Sequence, residues 1–350
     1  MMTAPLVELA YAFPQSEIHV LVNQSWNSLF KNLPGIHRLW TLNKGSNLAD
    51  RTYQLAKLAY LLRRENYDCV INLHASPSTA TLAMVTGAKT RAIHFHGHHD
   101  QNRYSTVDIP GKGIVKPHIE RDMDALRALG IHVPAGRIPC LTLQPTEIHE
   151  GQQFLKKLGL SKPILMINLG ASRPTKSWPI ERFAALAIEW SKRNRGGVLA
   201  LADSKEGSLI HQFLLSVDEL LPSMTSEKQR AEIRSQIAAR NDFPLRVLAS
   251  LLKQAAVVVG NDSGPKHLAI AVDTPTVTVF GPEHPFEWHP YSQERHPFLY
   301  IENLPCRNSG DEGKPAWCSL TQCDIEEHKC MRQIGVNAVL AEALRVARKE

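Results

Sequence analysis

The chain has 350 residues, 43% hydrophobic and 21% charged, a globular composition with more chain than one ordinary core needs, so two domains are expected. A formal charge of +6 and a pI near 9.0 favour anionic partners, yet the basic residues are spread out rather than massed or interleaved with aromatics, which argues against nucleic acid. No apolar run reaches the ~20 residues of a bilayer span. The opening Met1-Met2-Thr3-Ala4-Pro5 lacks a secretion signal's basic start and apolar stretch, so the expected location is cytoplasmic, with peripheral contact at an acidic inner-membrane face.

Short apolar runs alternate with helical periodicity along the whole chain. In the first half, Ile18 to Val22, Cys69 to Leu73 and Arg91 to Phe95 read as strands, while Gln54 to Arg64 and Glu120 to Leu129 read as helices. After Pro163 the alternation restarts with strand Ile164 to Leu169, helix Pro179 to Arg193, strand Val198 to Ala202 and a helix from near Glu206 to Val217. It continues with helix Leu245 to Gln254, strand Ala256 to Val259, helix Pro265 to Val272 and strand Thr276 to Phe280. Such βα alternation implies parallel sheets covered on both faces. The expected division is a first domain over 1–145, a second over 160–330 and a C-terminal helix over 331–350 that packs back on the first domain. Leu141 to Lys162 is the expected interdomain region, and the polar stretch Met224 to Asn241 is expected to extend a surface helix.

Two loops stand out, each at the carboxyl end of an expected strand, where open parallel sheets bind ligands. In Gly170-Ala171-Ser172-Arg173-Pro174-Thr175-Lys176-Ser177-Trp178-Pro179, Gly170 lets the chain turn, Ser172 and Thr175 offer hydroxyls and Lys176 a charge. Pro179 then opens a helix, a position that suits proline. In Gly260-Asn261-Asp262-Ser263-Gly264-Pro265-Lys266-His267, backbone N–H groups converge with the positive end of a helix dipole, an arrangement that binds phosphate; Lys266 and His267 add charge or hydrogen bonds. Strand–Gly–helix turns also occur throughout α/β proteins without binding anything. Neither loop is a Walker motif or a dinucleotide fingerprint.

The histidines and cysteines are less specific. His94, His96, His98 and His99 follow a strand; a solvated loop is the plainer reading, with metal ligation or contact to an anionic acceptor as alternatives. His74 closes another strand and is a candidate for an acceptor cleft, as is His96. Cys69 and Cys140 read as buried small hydrophobes. Cys306, Cys318, Cys323 and Cys330, with His328 nearby, lack the paired C-x2-C spacing of a zinc ribbon and read as a reduced structural cluster. No cofactor and no metal are expected.

The motifs "INLGASRPTKSWPIERFAALA", "VVVGNDSGPKHLAIAVDTPTVTVFGP" and "PFEWHPY", in this order, resemble glycosyltransferase family 9, the bacterial ADP-heptose:lipopolysaccharide heptosyltransferases. "AFPQSEIHVLV", "YDCVINLHASPSTATLAMVTGAKTRAIHF" and the tail "CSLTQCDIEEHKCMRQIGVNAVLAEA" extend the likeness over nearly the whole chain. The resemblance implies a GT-B architecture of two Rossmann-like domains facing a cleft, in a Gram-negative bacterium. The second domain would hold the nucleotide sugar and the first a lipopolysaccharide core or lipid A precursor acceptor. It implies that Ser172, Thr175 and Lys176 contact the donor diphosphate, that Asp262, Ser263, Gly264 and His267 form a second phosphate loop, and that Glu206 lies on the ribose. The reaction would be inverting, with Lys176 stabilising the leaving diphosphate.

One departure is expected to matter. The family opens with a strand and a Gly-Asp loop whose Asp is its proposed base, and "MMTAPLVELAYAFP" looks like the helix that follows. On this reading the first sheet lacks its central strand and no residue here can be assigned the base, with a misplaced chain start as the expected reason. Two alternatives share the architecture: a sugar-nucleotide epimerase, and an impaired homologue that binds nucleotide sugar without turnover.

Overall fold

The computed structural model describes residues 1–43, 45–95, 102–109, 116–194, 196–307, 315–323 and 328–347, and the chain divides into two compact units, 1–139 and 140–350. In the first unit, helix α1 (Thr3–Ala12) leads to β1 (Ile18–Asn23), the short α2 (Asn27–Phe30) and β2 (Ile36–Leu42). Then come α3 (Leu48–Arg64), β3 (Cys69–Asn72), α4 (Pro77–Val85), β4 (Thr90–Ile93) and α5 (His118–Arg127). Local chemistry sets the helix starts. The Asn47 side chain accepts from the Asp50 N–H at 2.9 Å to open α3, and Ser76 with Thr79 forms a capping box before Pro77. Leu55, Leu58 and Leu62, at helical spacing, turn α3 inward.

The strands of this unit pair two and two: β1 runs parallel to β2, β3 parallel to β4, and no ladder joins β1 to β3 among the described residues. Its apolar side chains fall into separate small clusters, one around Ile18, Val20, Phe30 and Leu33, another around Ile119, Met123 and Leu126. Strand β2 and helix α4 are additions to the elements read from sequence. Cys69, expected in the core, is exposed on β3.

The second unit begins with α6 (Pro145–Lys157), so the expected interdomain stretch is mostly a helix of this unit. It packs on α10 (Leu245–Gln254) through the ion pair of Glu147 with Arg246, and that guanidinium holds the Glu147 carboxyl below its usual range. Strands β5 (Leu165–Asn168), β6 (Val198–Ala202), β7 (Ile237–Asn241), β8 (Val257–Asn261), β9 (Thr276–Val279) and β10 (Phe298–Leu299) form one parallel sheet in the order β10-β9-β8-β5-β6-β7. Strand β7 lies within the polar stretch expected to be all helix. Its alternating buried residues Ile237 and Ala239 face the core, and α9 (Glu227–Ser235) precedes it.

Helices α7 (Ile180–Asn194) and α8 (Gly207–Met224) pack against each other. Phe183, Leu186, Ala187 and Trp190, spaced i, i+3, i+4 and i+7, give α7 its fully buried face. Truncating Phe183 to alanine there would cost about 3–5 kcal/mol. After β8 come α11 (Gly264–Ala271), α12 (Pro285–Trp288), α13 (Lys329–Arg332) and α14 (Val336–Val346). Helix α14 places Val339, Leu340 and Ala343 in the core of the second unit, against α7, β8 and β9. Its buried stripe is used within its own unit.

Candidate donor-binding site

The chain lays β5, β6 and β7 outward on one side, then returns to place β8 on the other side of β5. That reversal makes the carboxyl ends of β5 and β8 the topological switch point, where open α/β sheets leave a crevice for ligands. Both loops singled out from sequence emerge there. Buried asparagines that end their strands join the loops. Asn168 of β5 donates to the Gly170 carbonyl at 3.0 Å and to Ser263 Oγ at 2.8 Å. Asn261 of β8 accepts from the Trp178 N–H at 2.9 Å and donates to the Leu169 carbonyl at 3.0 Å. Sequence reasoning missed both; the signal was a polar amide closing an otherwise apolar strand.

A cationic pair meets one carboxylate between the loops. Lys176 Nζ donates to Asp262 Oδ2 at 2.6 Å, and Lys266 Nζ donates to Asp262 Oδ1 at 2.6 Å. Burial works to raise the Asp262 pKa, but the two ammonium groups overcome it and hold the carboxyl well below its usual range. Two lysines on one aspartate leave this cluster with an excess of one positive charge. Beside it, Ser263 is the N-cap of α11 and makes no side-chain capping bond to the helix. The helix start therefore keeps its polar backbone character toward the loop. A Cβ built on Gly264 would meet nothing within 4 Å, so the space over this turn is open.

Glu206, at the carboxyl end of β6, is brought to the first loop. A Cβ on Gly170 would fall 2.2 Å from Glu206 Oε2, so any larger residue there would have to displace that carboxylate. The same oxygen accepts from the Asp203 N–H at 3.1 Å. Arg173 ties the first loop to the one after β9, bonding Glu283 at 2.7 Å and the Cys318 carbonyl at 3.0 Å. Burial raises the Glu283 carboxyl although Lys176 and Arg173 stand near it.

Other expected site residues take different places. Thr175 is buried; its hydroxyl donates to the Leu320 carbonyl at 2.9 Å and its own carbonyl bonds His328 at 2.8 Å. Both bonds tie the first loop to the C-terminal segment. Ser172 is exposed at the loop tip. His267 Nδ1 bonds the Tyr291 hydroxyl at 2.7 Å, and burial with Lys266 alongside pushes its pKa well down. The ring is neutral at pH 7, so it supplies no positive charge. Lys266, expected to be available at the first turn, points inward and is 3% exposed.

In the first unit, His74 is exposed in the turn after β3, and His94 is buried beyond β4. His96, His98 and His99 lie outside the described residues. Cys306, Cys318, Cys323, Cys330 and His328 line a small cavity behind the first loop, with Thr175 and Arg307 among its walls. All four stand as thiols outside any disulfide, and burial pushes that of Cys330 up to about 11. Among the described residues, no three His, Cys, Asp or Glu side chains are grouped to hold a metal ion.

The family model for glycosyltransferase family 9 (heptosyltransferase) matches residues 55–316. The chain belongs to glycosyltransferase family 9. Lipopolysaccharide heptosyltransferase 3 of Escherichia coli K12 is 25% identical over 321 residues, covering 90% of this chain and 89% of that protein. Lipooligosaccharide heptosyltransferase 2 of Haemophilus ducreyi is 26% identical, covering 82% and 81%. The fold of this family 9 glycosyltransferase is seen in solved structures. A family 9 glycosyl transferase from Veillonella parvula matches with a TM-score of 0.74 at 21% identity, covering 99% of this chain and 92% of that one. E. coli ADP-heptose lps heptosyltransferase II matches with a TM-score of 0.66 at 20% identity, covering 99% and 94%. The α/β architecture with parallel sheets is thus of the GT-B class.

Proposed function

We propose that this glycosyltransferase moves a heptose from an ADP-heptose donor to a lipopolysaccharide core acceptor, and that the second unit binds the donor. The carrying observation is the surplus positive charge of Lys176, Asp262 and Lys266 beside the open start of α11 at the β5–β8 switch point. A diphosphate, an anion with several acceptor oxygens, complements it. Glu206, against Gly170, supplies a carboxylate for ribose hydroxyls. During transfer an acceptor hydroxyl attacks the anomeric carbon while the bond to the diphosphate breaks, and negative charge grows on the leaving oxygen. The Lys176 ammonium and the α11 start stabilise that charge as it develops.

The relatives named above as heptosyltransferases support the donor and acceptor classes. No helix of the described residues is long and apolar enough to cross a membrane, and the proposed meeting with a lipid-linked acceptor is peripheral, aided by the chain's basic excess. The test is incubation with ADP-heptose and heptose-deficient lipopolysaccharide core. Acceptor-dependent ADP release with a mass gain of one heptose is expected. Conversion of nucleotide sugar without acceptor would support the epimerase alternative and contradict this reading.

A further inference from the structure

Lys176 has to meet a diphosphate, yet in the structure its ammonium is engaged by a buried carboxylate, Asp262 Oδ2, at 2.6 Å. If Asp262 had no other cation, withdrawing Lys176 would leave an uncompensated charge in a side chain only 5% exposed. Removing one partner of a buried pair is strongly destabilising for that reason. A one-to-one pair would therefore compete with the ligand for Lys176.

Lys266 changes that balance. Its ammonium takes the other carboxylate oxygen, Oδ1, at 2.6 Å, so the lysines do not compete for one acceptor atom. It sits one helical turn along from Asp262 and is anchored in place by the Trp288 carbonyl at 3.0 Å and by the Phe280 ring, 4.7 Å from Nζ to centroid. A carbonyl, a carboxylate and an aromatic face are all acceptors of positive charge. At 3% exposure the Lys266 side chain is not placed to reach a ligand itself, whereas Lys176, at 12%, is the more open of the two.

We propose that Lys266 is a positioning residue for donor binding: by pairing with the other oxygen of Asp262, it lets Lys176 leave the carboxylate for the donor diphosphate. Asp262 then acts as a parking place for Lys176 when the site is empty, holding its ammonium at the loop instead of in solvent. The inference rests on the donor-site reading above and names what regulates its principal cation.

Calorimetric titration with ADP tests it on the full chain. Wild type binds. Lys266→Met and Lys266→Gln, which remove the charge with and without an amide, both lose at least about tenfold in affinity, because Lys176 is then locked one-to-one to Asp262. Adding Asp262→Asn to either variant restores most of the loss, because the lock is gone. A merely structural role for Lys266 predicts the opposite: the double variants bind no better than the single ones. That result, or unchanged affinity in Lys266→Gln, overturns the inference. If Lys266→Met fails to fold, the Gln pair decides alone. If wild type itself shows no ADP binding, the donor-site reading fails and this inference with it.

Discussion

The two units are built from the same parts, parallel strands and covering helices, but they differ in how the strands are closed. In the second unit β5, β6, β8 and β9 each pair on both edges, and one continuous core runs from Leu165 through Phe183 and Val257 to Leu340. In the first unit, among the described residues, every strand pairs on one edge alone and the apolar side chains form several small clusters. A two-stranded ladder carries little stability by itself, and an unpaired edge leaves backbone groups to solvent. The lesson is one of division: the unit with the continuous sheet and core carries the charge cluster, while the first unit has the less closed frame.

The largest effect that can break this comparison is in amide hydrogen exchange. The amides of β5, β6 and β8 should exchange at least about a hundredfold more slowly than those of β1 to β4, since opening energies follow local packing. Equal protection in both units would remove the contrast. Next in size is Lys176→Ala. It should lower donor turnover by about 2–4 kcal/mol in transition-state stabilisation, roughly 30-fold to 900-fold. Its melting temperature should shift little, because Lys266 still neutralises Asp262. Unchanged turnover would take Lys176 out of the reaction.

Much of the second unit was legible because its strands are short apolar runs, buried on both faces and bounded by turn residues. Val198–Ala202 and Leu245–Gln254 match the structure end to end. Strand β7 was not legible, since its outward residues Ala238 and Arg240 dilute the apolar signal and a helical run leads into it. The candidate site was legible as two loops, through Gly170, Lys176 and the Asp262-Ser263-Gly264 turn. What lay beyond reach was direction. Sequence spacing puts Lys266 within reach of Asp262 but cannot say that it turns inward to the Trp288 carbonyl, or that Thr175 turns back to Leu320, because those partners are more than twenty residues away. The asparagine locks at 168 and 261 are long-range for the same reason.

A smaller effect is expected with pH, from two buried histidines of the second unit. Burial holds the histidine pKa values down, to about 3 at His289 and about 4 at His296, against 6.5 in an unfolded chain. Below pH 6.5 the unfolded chain takes up protons that the folded one refuses, so stability falls as pH drops toward 4. For these two groups together the loss is roughly 2 kcal/mol between pH 6 and pH 5. The Asp262 carboxyl, held below its usual range, adds nothing in this window, because its contribution is lost only under about pH 3.8. Urea unfolding at both pH values, read on tryptophan fluorescence, checks the sign; a rise in stability on acidification would contradict it.

The smallest predicted change sharpens the picture of the open turn. Gly264→Val should weaken ADP binding about tenfold by filling the space where backbone and diphosphate meet, while leaving stability nearly unchanged, since its Cβ meets nothing within 4 Å. Calorimetry and thermal melting on the same sample separate the two; normal ADP affinity would show that the turn is not at the phosphates.

The central claim is that the donor diphosphate binds at the β5–β8 switch point, and hydrogen exchange with and without saturating ADP tests it most directly. The account predicts added protection at residues 170–176 and 262–267 with a smaller effect near Glu206, and none on β1 to β4. Protection that falls outside these loops, or none at saturation, would contradict it.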